Sequence, residues 1–224
     1  MPGVASEVIL AALDFTLIAK VFAALFAIMN PLTIMPVFLS LTADKPAADQ
    51  RSIMLTLNAT VAAGGLICAL GGRAVLSAFG IDVNHFQLAG GLIVLLLALS
   101  MLSGEDHSAH SGTAEEKKTY NSASSLGVYP LGIPLALGPG SMTAIIVFSQ
   151  MGASRPGGTV SFYLGLVGYV VFFSICMASA PLLARFLSPN ALSISKRLMG
   201  IVLAAIAMEM ISTALGHIFP AWMA

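Results

Sequence analysis

Long apolar segments separated by short polar connections run along almost the whole chain. A helix that crosses a bilayer needs about 20 apolar residues, and a window of that length finds six candidate spans. They cover residues 17–41, 47–72, 84–103, 126–151, 158–186 and 197–218. The pattern predicts an all-α membrane protein with six transmembrane helices in a single membrane domain over residues 1–224.

Composition supports this class. Hydrophobic residues make up 58% of the chain and charged residues 9%, with a mean hydropathy of +0.94, whereas soluble domains carry about 25% charged residues. Only residues 104–125 are long and polar enough to predict a flexible loop. The first 20 residues do not resemble a signal peptide, because Glu7 and Asp14 interrupt the apolar part. We expect the N-terminal span to be retained.

Lysine and arginine are unevenly divided between the two ends of the predicted helices. One side collects Lys45, Arg51, Lys117, Lys118, Arg185, Lys196 and Arg197, and the other has Arg73, Arg155 and Lys20. Cytoplasmic loops carry an excess of these residues, so we predict that the richer side is cytoplasmic and that both termini lie outside. The net charge of zero gives no support for a nucleic acid partner.

The two halves of the chain match at an offset of about 110 residues. Gly90 in the third span corresponds to Gly200 in the sixth, and Asn30-Pro31 corresponds to Gly138-Pro139 at nearly the same offset. Three helices per half is an odd number, so the second half should enter the membrane upside down. Inverted repeats of this kind are typical of secondary transporters. The predicted units are repeat one at about 8–103, a loop at 104–125 and repeat two at about 126–218.

A proline interrupts the first span near its middle, and another interrupts the fourth. Proline lacks an N–H and its ring clashes with the preceding turn. Each site should therefore end one half-helix and begin another, with Asn30 as the N-cap and Pro31 at the first helical position. A kink that serves only packing is the alternative for either proline. Because backbone groups freed in lipid cost several kcal/mol each, we expect something polar at both breaks.

The half-helices that begin at the two breaks would run in opposite directions, so that two helix N-termini converge at mid-depth. Each N-terminus carries about half a positive charge and free N–H groups. The site is therefore expected to prefer an anionic group. The predicted substrate-binding residues are Asn30, Pro31, Thr33, Gly138, Pro139, Gly140, Ser141 and Thr143.

Two further polar residues, Glu209 and Asn58, lie near the middle of the sixth and second spans. An acid within a membrane span is a functional candidate by default. We predict that Glu209 binds a substrate ammonium or carries a coupling proton, with a protonated, carbonyl-bonded glutamate as the alternative. Asn58 is a second candidate for coupling or for binding the ammonium group. Its alternative role is a hydrogen bond between helices.

Cys68 and Cys176 occupy matching positions in the second and fifth spans. A thiol-redox carrier would need such a pair, although two small buried residues are the simpler interpretation. His107 and His110 are too loosely spaced in their loop to predict a metal site. No phosphate loop, serine triad or zinc motif occurs, so we predict neither an enzyme nor a cofactor.

Four stretches resemble the characteristic segments of the MarC family of integral membrane proteins. They are MNPLTIMPVFLSLTADK, FQLAGGLIVLLLAL, PLGIPLALGPGSMT and SISKRLMGIVLAAIAMEMI, spread over essentially the whole chain. The resemblance implies a six-helix carrier of small neutral amino acids such as alanine or glycine, grouped with the LysE exporters. It also implies the plasma (inner) membrane of a prokaryote. The motif positions that carry over are Asn30, Pro31, Pro36, Pro134, Gly138, Pro139 and Gly140.

Together these arguments predict a secondary transporter that works by alternating access, with the breaks as hinges. The implied partners are a small neutral amino acid and the lipid bilayer. The coupling ion, proton or sodium, stays open, and so does a homo-oligomer. The alternative functions are a thiol-redox carrier, a drug or metabolite efflux protein, and an assembly protein without a substrate.

Overall fold

The computed structural model describes residues 13–103, 123–183 and 188–220, which form helices and no strand. The elements in chain order are α1 (Phe15–Ile28), α2 (Pro31–Thr42), α3 (Ala47–Ala78), α4 (Val83–Ser103), α5 (Ala123–Val128), a π-helical segment (Leu131–Ala136), α6 (Pro139–Ala153), α7 (Gly158–Ala178), α8 (Ala180–Leu183) and α9 (Pro189–Ile218).

Within this described part of the chain, α3, α4, α7 and α9 are each long and apolar enough to cross a membrane. Two bent pairs pass the same test: α1 with α2, which meet at 40°, and Ser125–Ala136 with α6, which meet at 68°. The prediction of an all-helical protein with several membrane spans is confirmed. The number of spans is four, or up to six when each bent pair is counted as one.

Helix ends follow local sequence signals. Asp14 accepts the Leu17 amide at 2.9 Å and so caps the start of α1. At the end of α3, Gly80 adopts a φ of 66°, which allows the Ile81 amide to reach the Leu76 carbonyl at 2.9 Å. This turn places the end of the second span at residue 78, beyond the predicted boundary at residue 72.

Two other predicted boundaries also differ from the structure. The fifth span was expected to reach residue 186, but α7 ends at Ala178 and the separate short helix α8 follows. The sixth was expected to begin at residue 197, but α9 begins at Pro189, where Ser188 accepts the Ala191 amide at 3.2 Å. A serine cap followed by proline at the first position is a strong helix start.

Helices α4 and α9 pack closely because glycines on each helix face the backbone of the other. A methyl group at Gly91 would lie 3.3 Å from the Ala207 carbonyl oxygen, and one at Gly200 would lie 3.1 Å from that of Ala98. Small residues allow membrane helices to approach in this way. Val94 is buried in the same seam.

Helix α6 lies at the centre of the bundle, in contact with α1, α3, α4 and α7. Eight of its 15 residues are buried. Around it, α1 packs on α7 through edge-to-face rings such as Phe22 and Tyr169, and α3 packs on α5. Large apolar side chains point outward, as expected for a surface in contact with lipid tails. Both helix breaks therefore lie inside the bundle.

Candidate functional site

The first break lies at Met29 and Asn30, between α1 and α2. The Asn30 side-chain Oδ1 accepts the Leu32 amide at 3.0 Å, and Pro31 takes the first helical position. The predicted cap is confirmed. Asn30 is 3% exposed, and its Nδ2 has no hydrogen-bond partner among the described residues. An unpaired buried donor costs about 1–3 kcal/mol, so Asn30 offers a donor to whatever enters the break.

Tyr169 satisfies a carbonyl that the first break leaves free. Its hydroxyl donates to the Met29 carbonyl oxygen at 2.7 Å, and the side chain is fully buried. Carbonyls at a helix C-terminus lack an amide from the following turn, so this bond replaces the missing one. Sequence reasoning missed Tyr169. The available signal was a tyrosine within an apolar span, because a buried tyrosine hydroxyl usually needs an acceptor.

The second break lies at Leu137 and Gly138 and is built differently. Gly138 has an extended backbone (φ −84°, ψ 175°), Pro139 takes the first helical position, and no described side chain caps α6. The first amides of a helix have no acceptor within it. The N-terminus of α6 therefore presents bare N–H groups at the positive end of the helix dipole. The predicted break without a capping side chain is confirmed.

A π-helical segment precedes the second break, where the sequence pattern predicted a regular helix from residue 126. Pro134 supplies no amide to the helical ladder. The Leu135 and Leu137 amides instead donate five residues back, to the Pro130 and Gly132 carbonyls at 3.2 and 2.8 Å. Between these bonds Ile133 has an extended backbone (φ −124°, ψ 125°), so the segment is kinked and not a continuous helix. It meets α6 at 68°.

The Ser141 and Thr143 hydroxyls donate to the backbone at the second break. Ser141 Oγ donates to the Ala136 and Gly138 carbonyls at 3.1 and 2.9 Å, and Thr143 Oγ1 donates to the Pro139 carbonyl at 2.9 Å. Their protons are therefore engaged within the protein. Ser141 thus stabilises the carbonyl side of the break, whereas Thr143 bonds within the first turn of α6.

Gly140 brings the two breaks together. A methyl group placed there would lie 3.7 Å from Ile28, the last residue of α1, and 3.7 Å from Val94 in α4. The start of α6 thus lies beside the end of α1. Of the other predicted residues, Pro31 is buried, Thr33 is half-buried in the first turn of α2, and Pro139 is exposed.

Glu209 and Asn58 lie in different surroundings. Glu209 forms an ion pair with Lys20, which links α9 to α1, and the two side chains are 55% and 43% exposed. Asn58 is half-buried in α3, and its Oδ1 has no partner in the described part of the chain. The structure therefore holds two unpaired buried side-chain atoms there, the donor of Asn30 and the acceptor of Asn58.

Cys68 and Cys176 are free thiols, half-buried in α3 and α7. Among the residues that the structure describes, no three His, Cys, Asp or Glu side chains come close enough to hold a metal ion. His107 and His110 lie outside the described residues.

The spans and the buried breaks define an integral membrane protein with several α-helical crossings. The chain belongs to the MarC family: the family model described as "MarC family integral membrane protein" matches residues 15–219. The resemblance noted in the sequence is thereby confirmed.

Relatives extend across bacteria and archaea. The chain is 35% identical to the UPF0056 membrane protein YhcE of Escherichia coli (strain K12), over 92% of this chain and 95% of that protein. It is 30% identical to a UPF0056 membrane protein of Methanocaldococcus jannaschii, over 89% and 96%. It is 27% identical to the UPF0056 membrane protein YvbG of Bacillus subtilis (strain 168), over 92% and 97%. No solved structure matches the chain.

Proposed function

We propose that the protein is a secondary transporter of small neutral amino acids and that the two breaks bind the substrate carboxylate. One observation carries this proposal: the unpaired Nδ2 of buried Asn30 lies at one break, and the uncapped N-terminus of α6 lies at the neighbouring one. Helix N-termini bind anions, and an unpaired buried donor calls for an acceptor. A carboxylate has enough lone pairs for both donors.

The walls around Gly140 favour a short substrate side chain. Ile28 and Val94 leave room beside Gly140 for about one methyl group at ordinary contact distance. A gap of that size admits a substrate side chain no larger than the methyl group of alanine, whereas the drug or metabolite efflux alternative requires a larger space. This restriction on the side chain supports the substrate class that the family resemblance implies.

We propose that Asn58 binds the ammonium group of the zwitterionic substrate and that Glu209 takes part in coupling. The unpaired Oδ1 of Asn58 suits an ammonium or a coupling cation. The ion pair of Glu209 with Lys20 links α9 to α1, so a coupling ion that neutralises Glu209 would loosen this link.

Two inverted repeats with alternating access are the arrangement that we propose. The sequence pattern paired Gly90 with Gly200, whereas the helix contacts fit an offset of 109 residues, which relates Gly91 to Gly200 and Ala98 to Ala207. Gly91 faces Ala207 while Gly200 faces Ala98, which is the reciprocal contact that two-fold related helices make. Repeats of this kind allow one half to rock against the other around a central site.

For orientation, we propose that the end of the bundle with Arg73 and Arg155 faces outside, in the inner membrane of a prokaryote. The two arginines line one cavity, which supports the separation of charges that the sequence suggested. With the richer side cytoplasmic, both termini lie outside.

Uptake of labelled alanine and glycine into proteoliposomes tests the transporter proposal, with and without an imposed proton gradient or sodium. We expect uptake that depends on the gradient in the natural protein. Asn30→Ala should weaken it while remaining folded, and Glu209→Gln should lose the dependence on the gradient. Absence of uptake by folded natural protein would overturn the proposal.

The same uptake assay also tests the thiol-redox alternative. A Cys68→Ala, Cys176→Ala double variant removes both free thiols. Full uptake by this variant would discard the redox function, whereas loss of uptake in folded double variant would favour it over the carboxylate site.

A further inference from the structure

A cavity of about 540 Å³, lined by both polar and apolar side chains, opens at the end of the bundle where α3, α6 and α9 end and α4 begins. Its volume falls within the range of small-molecule sites, about 300–1,000 Å³. The side chains that matter for its chemistry are Arg73, Gln87, Gln150, Arg155 and His217. The cavity is distinct from the helix breaks, since α6 begins at the second break and Arg155 lies just beyond its other end.

Among the described residues, the lining of this cavity carries cationic groups and no carboxylate. Arg155 shares its charge with Asp14, which accepts from its Nη1 at 3.1 Å. Arg73 pairs with no carboxylate in the described residues. Asp82 lies at the same end of the bundle, where its carboxylate accepts the Asn84 amide at 2.8 Å, but it is not among the described lining residues. The charged side chains of the described lining are both arginines, and such a lining raises the local concentration of anions. The guanidinium fork matches the two oxygens of a carboxylate.

Helices α4 and α6 lead from this cavity toward the breaks. Gln87 and Val147 line the cavity and are 5% and 0% exposed, so they form its floor. About one turn further along both helices, Thr143 packs against Gly90 so tightly that a methyl group at Gly90 would overlap it. The hydroxyl of Thr143 donates to the Pro139 carbonyl, at the second break itself.

We propose that this cavity is an outer capture site for a small carboxylate, held by Arg73 and Arg155 and separated from the breaks by the contact of Gly90 with Thr143. The inference rests on the proposed function, because the substrate expected at the breaks is an amino acid. It adds a second binding position for the same carboxylate, at the mouth of the path.

The test measures charge selectivity in the cavity without measuring transport. In the full chain carrying Cys68→Ala and Cys176→Ala, a single cysteine is introduced by Ala153→Cys, at a position that lines the cavity. Ala78→Cys, at the exposed end of α3 and outside the cavity lining, is the matched control. Each is reacted with the anionic sulfonatoethyl and the cationic trimethylammonioethyl methanethiosulfonate reagents.

At Ala153→Cys we expect the anionic reagent to react about tenfold faster than the cationic one. The preference should shrink in high salt and disappear when Arg73→Gln is added. It should be absent at Ala78→Cys. Alanine should slow modification at Ala153→Cys several-fold, whereas alaninamide, which lacks the carboxylate, should not.

Equal rates for the two reagents, or a preference that survives Arg73→Gln, would overturn the capture site. A charge preference without protection by alanine would overturn it too, because a positive field alone is not a binding site. If the double variant does not fold, the chain with its natural cysteines takes its place, and labelling of the chain without an added cysteine is subtracted.

The outcome separates this proposal from the transporter itself. Protection by alanine in a protein that shows no uptake would support the capture site and refute transport. Uptake of alanine with no charge preference and no protection would refute the capture site and leave transport standing.

Discussion

The two helix breaks interrupt their spans in the same way but are stabilised by different groups. At the first break, the Asn30 side chain caps α2 and Tyr169 takes the Met29 carbonyl. At the second, the carbonyl side is satisfied by Ser141, while the amide side of α6 has no cap among the described side chains. The first break thus offers a side-chain amide to a ligand, and the second offers backbone amides.

This difference follows from asparagine at one break and glycine at the other. Asparagine closes its own helix end with Oδ1 and keeps Nδ2 for a partner. Gly138 brings no side chain, and Gly140 leaves space beside the first turn of α6. The first break contributes a side-chain donor, and the second contributes space beside its backbone amides. In the proposed function, the two breaks together bind a carboxylate with more donors than either break alone.

The largest expected effect comes from turning the donor at the first break into an acceptor. Asn30→Asp retains an oxygen to cap Leu32, which helix N-termini favour, but replaces Nδ2 with a negatively charged oxygen that repels a carboxylate. We expect the efficiency of alanine uptake, kcat/KM, to fall about 100-fold. Proteoliposome uptake measures this.

Asn30→Ser is the matched control, because serine caps equally well but lacks the amide donor and adds no charge. Its uptake efficiency should fall about tenfold, on the scale of one lost hydrogen bond to a charged group. Natural rates in folded Asn30→Asp would show that Nδ2 faces no anion.

The next largest effect concerns the carbonyl side of the first break. Tyr169→Phe removes the hydrogen bond to Met29 and leaves a buried carbonyl unpaired, which should lower the free energy of unfolding by about 1–3 kcal/mol. Thermal unfolding in detergent measures the change. Tyr163→Phe, in the same helix, is the control, since its half-buried hydroxyl has no hydrogen bond within the described residues. Equal losses in both variants would rule out a special role for Tyr169.

A smaller loss is expected at the second break from Ser141→Ala. The hydroxyl reaches two carbonyls, but one proton is shared between them, so we expect about 1 kcal/mol of destabilisation. Ser149→Ala removes a similar hydroxyl, which donates to the Ile146 carbonyl at 2.7 Å within the same helix and away from the break. That variant should unfold at nearly the natural temperature. The comparison fails if Ser149→Ala costs as much.

The smallest effect contrasts the buried cap of Asn30 with the half-buried cap of Asp14. The hydrogen bond from the Leu17 amide, assisted by Arg155, lowers the pKa of Asp14 below its ordinary 3.8. A carboxyl with a depressed folded pKa contributes stability above its unfolded pKa and loses it as the pH falls through the folded value. The natural protein should therefore lose slightly more stability than Asp14→Asn on acidification below about pH 4. Identical unfolding temperatures across that pH range would contradict this assignment.

Local chemistry accounts for what the sequence could predict. Proline has no N–H to donate at any position, so Asn30-Pro31 and Gly138-Pro139 predicted both breaks. The residue before each proline also predicted whether a side chain caps the following helix. The bond from Tyr169 to Met29 joins residues 140 positions apart, and no local pattern encodes it. The ion pair of Glu209 with Lys20, across 189 positions, is hidden in the same way.

Residue type also left the direction of hydrogen bonds undetermined. Ser141 and Thr143 have the donors that a substrate site needs, yet the Ser141 proton goes to the Ala136 carbonyl before the break and the Thr143 proton goes to the Pro139 carbonyl one turn back within α6. The π-helical segment arose from the same competition, because the amides near Pro134 had to find acceptors five residues back. The partners of these hydroxyls and backbone amides depend on how the polar groups near the break pair after folding. The length and apolar character of a span do not specify that pairing.

Equilibrium binding of labelled alanine to the purified protein tests the carboxylate site at the breaks most directly. It is measured in the Arg73→Gln background, which removes the outer capture site and leaves both breaks intact. We predict that alanine binds, that glycine displaces it while alaninamide does not, and that Asn30→Ser weakens binding about tenfold. Displacement by alaninamide as effective as by glycine, or unchanged affinity in folded Asn30→Ser, would contradict the account.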